Sequence, residues 1–147
     1  MSYYKTKQAL VAKLLSASVP GIIMPSAGVL GDVALENKDF DPSGKSIWLS
    51  CYFIPATSEM LGKTPSSRNE DRGIFQVSVF VALNNNDYDN AQLQAVDSIL
   101  SSFQYNSSTV YNSQKVSILD STVNNGTENE SWFKRDISIN YLAFTTR

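Results

Sequence analysis

The chain has 147 residues, a formal net charge of −2 and no histidine. This length fits one domain over residues 1–147, with a core that needs no disulfide or metal to fold. Without histidine, the chain lacks the commonest general base and zinc ligand, and its balanced charge argues against a protein that binds nucleic acid through a broad basic surface. The lone cysteine, Cys51, cannot form an internal disulfide, which is typical of proteins assembled in a reducing cytoplasm.

The first predicted element is a helix near residues 4–17. Its apolar side chains recur at helical spacing, and Lys13 interrupts the apolar run that a signal peptide would need. Proline and glycine in residues 18–21 end the helix. No later stretch is long and apolar enough to predict a membrane span.

Strands are predicted where apolar residues alternate with polar ones. A short strand is expected at residues 33–35, and two strong strands at 47–54 and 75–83. The polar segment between the strong strands, residues 55–71, contains Gly62 and Pro65 and is interpreted as a long exposed loop. Because loops of this length in compact domains are often functional, this segment is a candidate for recognition.

A second helix follows a turn cluster at residues 84–87, because Ala91, Ala95, Ile99 and Phe103 fall at helical spacing. Two more strands, one around Val116 and one over residues 133–143, close the chain. The order predicts an α+β fold with a mostly antiparallel sheet of four to five strands and two helices packed on one face. The other face carries large apolar side chains, which could form a second core layer or a subunit contact: Trp48, Tyr52, Ile74 and Phe80.

No residue pattern predicts catalysis, a cofactor or a metal site. Cys51 is interpreted as a small buried hydrophobe. Acidic residues fall in segments read as polar loops, whereas catalytic carboxylates are normally fixed on ordered elements; they are Glu59, Glu70, Asp71, Glu128 and Glu130. Arg68 and Arg72 at the end of the long loop fit either an ordinary charged, solvated loop or a loop that recognises a neighbouring subunit.

Several stretches together resemble the tail terminators of siphophages, the group that includes the lambda tail terminator. They are residues 33–40 running into 48–56, residues 72–79 beginning Arg72-Gly73, and residues 132–141. Local sequence departs from the family pattern at residues 82–87. The resemblance implies a hexameric ring that caps the finished tail tube, stops its polymerisation and forms the tail side of the head–tail joint, without any reaction.

The resemblance also implies partners and a location. We expect contacts with other copies of the chain, with the tail tube protein and with a head-completion or neck protein. Genomic DNA would pass through the lumen without specific binding, no membrane would be involved, and the ring would sit at the head-proximal end of the virion tail after assembly in the host cytoplasm. The predicted interface residues for the tube are Arg68, Glu70, Asp71 and Arg72. Ring contacts could come from sheet edges or from the aromatic second face, especially Trp48 and Tyr52.

Other functions remain open from sequence. A neck or head-completion protein would serve as a head–tail connector instead. A small enzyme would need an Asp/Glu site in a cleft, with carboxylate pKa values shifted towards neutrality. A non-catalytic domain that binds a small molecule would need a closed apolar pocket between sheet and helices.

Overall fold

The computed structural model of the chain describes residues 3–63, 68–83 and 89–146. Within these residues, two helices and seven strands follow one another. Their bounds are α1 (Tyr3–Leu15), β1 (Val33–Ala34), β2 (Ile47–Met60), β3 (Arg68–Ala82), α2 (Asn90–Ser102), β4 (Ser108–Tyr111), β5 (Gln114–Val123), β6 (Thr127–Asn129) and β7 (Trp132–Thr146).

The strands form one mixed sheet, in the order β1-β2-β3-β7-β5-β4, with β6 paired to β7. β1 runs parallel to β2, and the other pairs are antiparallel. The α+β class is therefore confirmed, while the predicted four to five strands fall short of the seven that the described residues form. β4 and β6 were missed because neither segment alternates between apolar and polar residues.

Residues 55–71 do not form the long loop that the sequence predicted. β2 continues to Met60 and β3 begins at Arg68, so that Thr57–Met60 pair with Asn69–Arg72. Leu61 N–H also bonds to Arg68 O, and we call this paired extension, residues 57–61 with 68–72, the arm. Residues 54–61 are exposed on both faces of the strand, so apolar and polar side chains need not alternate there and the pattern that reveals a strand disappears. Residues 64–67, at the tip, lie outside the described residues.

Both helices pack on the same face of the sheet, as predicted, and together they enclose the core. Leu10 and Leu14 of α1 and Ile99 of α2 are fully buried against strand residues. The side chains they cover alternate along the central strands: Leu49, Phe75, Val77, Ile137, Ile139 and Tyr141. Removing so much apolar surface from water supplies the main driving force for folding.

Cys51 lies in this core and is almost fully buried, as the sequence predicted. Burial, with a smaller contribution from the Glu36 carboxylate, raises the pKa of its thiol to about 11. The thiolate, which is the reactive form of cysteine, is therefore scarce at neutral pH. Neither described helix has the length and apolar character needed to cross a bilayer.

Candidate functional site: the outer face of the sheet

The helices leave the opposite surface of the sheet, which we call the outer face, open to other contacts. Because side chains alternate along a strand, the pairing registers assign the members of this face. They are Trp48, Ser50, Tyr52 and Ile54 of β2, Arg68, Glu70, Arg72, Ile74, Gln76, Ser78 and Phe80 of β3, and Lys134, Asp136, Ser138, Asn140, Leu142 and Phe144 of β7. Among them, Tyr52, Ile54 and Phe144 keep 48%, 42% and 45% of their surface exposed.

One end of the outer face is aromatic. The ring of Trp48 stacks on Phe80, with centroids 4.0 Å apart and planes 2° from parallel. Phe40 and Trp132 pack against the same indole at 5.0 Å and 5.7 Å. The sequence left open whether these side chains form a second core layer or a subunit contact. Trp48 takes part in a small second core layer, whereas Tyr52 remains available for a contact.

An open cleft of about 600 Å³ lies beside these rings, between the sheet and residues 34–42. Glu36 helps to hold the covering segment, because its carboxylate accepts the backbone N–H of Phe53 at 2.5 Å and lies 3.5 Å from the Lys7 ammonium. Trp48, Ser50 and Tyr52 form part of its floor. The cleft is thus on the side of the sheet away from the helices, unlike the closed pocket expected of a small-molecule domain.

The arm carries the charged part of the outer face. Arg72 donates from Nε to Glu70 Oε1 at 2.6 Å, and half of the Arg72 side chain is exposed. Arg68 is exposed four register pairs further towards the tip. An exposed pair of this kind adds little to stability, so these side chains can exchange their partners for those of another protein at small cost.

Asp71 points the other way, into the arm, and is 2% exposed. Its carboxylate accepts hydrogen bonds from Ser58 Oγ at 2.5 Å and Thr145 Oγ1 at 2.9 Å. These bonds tie together β2, β3 and β7. Because residues 55–71 were predicted to be a loop, the alternation of inward and outward side chains around Asp71 was not foreseen. The atoms of Asp71 are covered, so this residue would affect a partner only through the shape of the arm.

The sequence prediction overlooked Arg135, which fixes the start of α2. From the inner face of β7, its guanidinium donates to Gln92 Oε1 at 3.2 Å, to the backbone oxygen of Asn124 at 3.1 Å and to Asp89 Oδ2 at 3.2 Å. Gln92 is fully buried and in turn donates to the backbone oxygens of Val79 and Phe133, each at 3.0 Å. One sequence signal could have revealed this role: Arg135 is a charged residue at a position of β7 whose neighbours on the same face are apolar.

Comparison with known proteins identifies the family. The family profile described as phage tail terminator protein matches residues 26–141, which include all the stretches that carry the resemblance. No curated protein matches the chain. A solved structure aligns with 97% of this chain and 96% of its own at a TM-score of 0.71 and 20% identity, which shows a shared fold. The chain belongs to the phage tail terminator family.

Proposed function

We propose that this chain forms a hexameric ring that caps the tail tube, stops its polymerisation and provides the tail side of the head–tail joint. The family match over residues 26–141 carries the proposal, because it identifies a structural component of the phage tail. The family is typically non-enzymatic, and the role requires binding alone. Host cytoplasm is the proposed place of assembly, and the head-proximal end of the tail the final position.

The outer face supports a role in binding. Protein interfaces favour aromatic side chains and arginine, with a polar rim around an apolar centre. Exposed Tyr52 and Ile54 lie between the aromatic end and the charged arm, and Arg72 follows on the next strand. This arrangement of aromatic, aliphatic and charged groups along the face matches the composition of protein interfaces.

We assign the tube contact to the arm and a contact between copies to the aromatic part of the outer face. In the arm, Arg68, Glu70 and Arg72 present directional charges to the tube, while Asp71 holds the three strands in place. Trp48 supports Tyr52 at the contact between copies. A ring built this way is heterologous and has two unlike faces, so one face receives the last tube ring while the other refuses a further one and meets the neck protein.

DNA passing through such a ring must not be held by it. A basic lumen would bind phosphates through release of counterions. The formal net charge of −2 suits passage without specific binding.

The direct test is the length of tails in cells that produce the phage with this gene silenced. Negative-stain electron microscopy should show headless tubes of variable, excessive length, because nothing stops growth. Tubes of normal, uniform length that fail to join heads would replace the proposal with a neck or head-completion role. Normal infectious particles would exclude both roles.

A further inference from the structure

The two margins of the sheet are protected very differently. On the β2 margin, β1 pairs with Leu49 and Ser50, and the outward N–H of Phe53 is occupied by the Glu36 carboxylate. Pro55, at the next outward position, has no N–H, and a bulge follows between Pro55 and Thr57. Prolines, bulges and covering groups are the devices that prevent another strand from adding to an edge.

The opposite margin, β4, is less protected over residues 108–111, although Asn106 and Ser107 both oppose Ile118 just before it, as in a bulge. Its sequence, residues 108–111, contains neither a charged residue nor a proline. The N–H of Ile118 in β5 donates to the backbone oxygen of Ser107, and its C=O accepts from the N–H of Asn106. The backbone of Ile118 therefore faces β4. By alternation along the antiparallel pair, Thr109 bonds to β5 and the backbone of Val110 faces outward. No strand of the described chain pairs beyond β4, and Val110 is 60% exposed.

Beyond its bulge, no strand of the described chain pairs with the outer side of β2. Leu61 N–H bonds to Arg68 O, so alternation turns the backbone of Ser58 outward. This open stretch and β4 lie at the same end of the sheet, because one row of paired residues crosses it from margin to margin: Thr57, Arg72, Leu142, Ser117 and Ser108. β2 and β4 also run in the same direction across this row.

Charge favours a second copy of the same chain as the occupant. Glu59 is exposed and lies directly opposite Glu70, and like charges facing each other across strands repel. Lys115 is exposed and lies opposite Val110, next to the open margin. By register, both side chains lie on the side of the sheet that carries the outer face. A neighbouring copy that continues the sheet would bring its Glu59 towards Lys115 of the first.

We propose that copies join by strand addition, with the outer side of the arm of one copy pairing in parallel with β4 of the next. The two joined margins are unlike, so the contact is heterologous and repeats around a ring. This inference rests on the proposed ring and places a main-chain contact within it, beside the side-chain contact assigned to Tyr52.

The experiment compares purified full-length variants by analytical ultracentrifugation over a wide range of concentration. Val110→Pro removes the outward N–H at a margin that tolerates proline in a monomer, and Val110→Thr is its matched control. We expect the wild-type chain and the threonine variant to associate. Val110→Pro should need about tenfold more protein for half-assembly, since a hydrogen bond and close approach are lost, with an unchanged circular dichroism spectrum.

Charge reversal supplies an independent measurement that a misfolded variant could not mimic. Glu59→Lys and Lys115→Glu should each weaken association, and combining them should restore it. Association of Val110→Pro at the wild-type concentration would overturn the inference, as would a wild-type chain that stays monomeric at every concentration, or a double variant no better than the single ones. Tail length separately tests the terminator role, so either idea can fail alone.

Discussion

Gly73 of β3 and Tyr141 of β7 are register partners, and the phenol ring lies across the glycine backbone. A Cβ atom on Gly73 would stand 2.6 Å from the Tyr141 hydroxyl oxygen and 2.5 Å from the backbone oxygen of Ile54. The β2 bulge lies opposite this glycine. The arm therefore begins at a point where two strands approach too closely for any side chain.

Gly73→Ala should lower the free energy of unfolding by about 1–3 kcal/mol, the range seen when a methyl group is forced into a packed site. The cause is a clash with backbone as well as with the ring, so a rotamer change cannot relieve it. Urea denaturation followed by tryptophan fluorescence gives the value. An unchanged midpoint would show that the ring and the backbone of Ile54 both move aside easily.

Tyr141→Phe should leave stability unchanged or raise it by up to about 1 kcal/mol. The hydroxyl is buried without a hydrogen-bond partner among the described residues, and burial, together with the nearby Asp71 carboxylate, raises its pKa. Thermal unfolding measures the effect. Tyr141→Leu is the matched control, which should be destabilised because it loses the ring contact with Phe53 at 5.5 Å; a clear loss in Tyr141→Phe would reveal a partner for the hydroxyl.

Asp71→Ala and Glu70→Ala should differ, although the residues are adjacent. The first leaves the hydroxyls of Ser58 and Thr145 without their acceptor and should cost about 1–3 kcal/mol. The second removes an exposed pair and should change stability by less than about 0.5 kcal/mol. Chemical denaturation, with Thr145→Val completing a double-mutant cycle, measures the coupling. Equal costs for both alanine variants would contradict the inward role of Asp71.

Reversal of both arm arginines, Arg68→Glu with Arg72→Glu, should abolish capping and leave the fold intact, since both side chains are exposed. Tail length in infected cells that carry the variant gene measures capping, and circular dichroism checks the fold. The variant with lysine at both positions keeps the charge but loses the planar fork, so it should retain part of the function. Normal tails in the glutamate variant would remove the arm from the tube contact.

Asp32 should make stability depend on pH in the acid range. Burial alone would raise the pKa of its carboxyl, but hydrogen bonds from the Lys45 ammonium at 2.7 Å and the Ile23 backbone N–H at 2.8 Å hold it below the usual value. A pKa lowered by folding adds stability above the unfolded value, and this contribution disappears as pH falls through the folded value.

The melting temperature of wild type should therefore fall more steeply than that of Asp32→Asn as the pH is lowered from neutrality through the range in which carboxylates titrate. Asp97→Asn, on the exposed side of α2, is the control and should follow wild type. Parallel curves for wild type and Asp32→Asn would contradict the pKa direction.

Sequence predicted those elements that have one buried and one exposed face. α2 and the central part of β7 show clear periodicity because their inner residues, such as Ile99 and Ile139, meet the same core. The arm escaped prediction because residues 54–61 of β2 contact water on both faces, and the inward residues of β3 in the arm, Asn69 and Asp71, are polar. Nothing local in the chain indicates that β7 lies between β3 and β5, since that order is set by packing between distant segments.

The candidate site was predicted in part. Placing Arg68 and Arg72 on an exposed segment was right, although the segment is paired strand. Only when the segment is known to be a strand does alternation show that Asp71 faces inward while its neighbours face outward. The stacking of Trp48 on Phe80 depends on a strand register that the sequence does not reveal. The contact roles of all these residues stay predictions until the variants are measured.

The central position of β7 also affects the order of events during synthesis. Pairs such as Ala82 with Trp132 join segments far apart in the chain, and such pairing is slow to form. Until Trp132–Thr146 emerge from the ribosome, the inner strands β3 and β5 lack the neighbour that separates them from solvent. Chains interrupted before this strand would expose strand edges that are prone to aggregation.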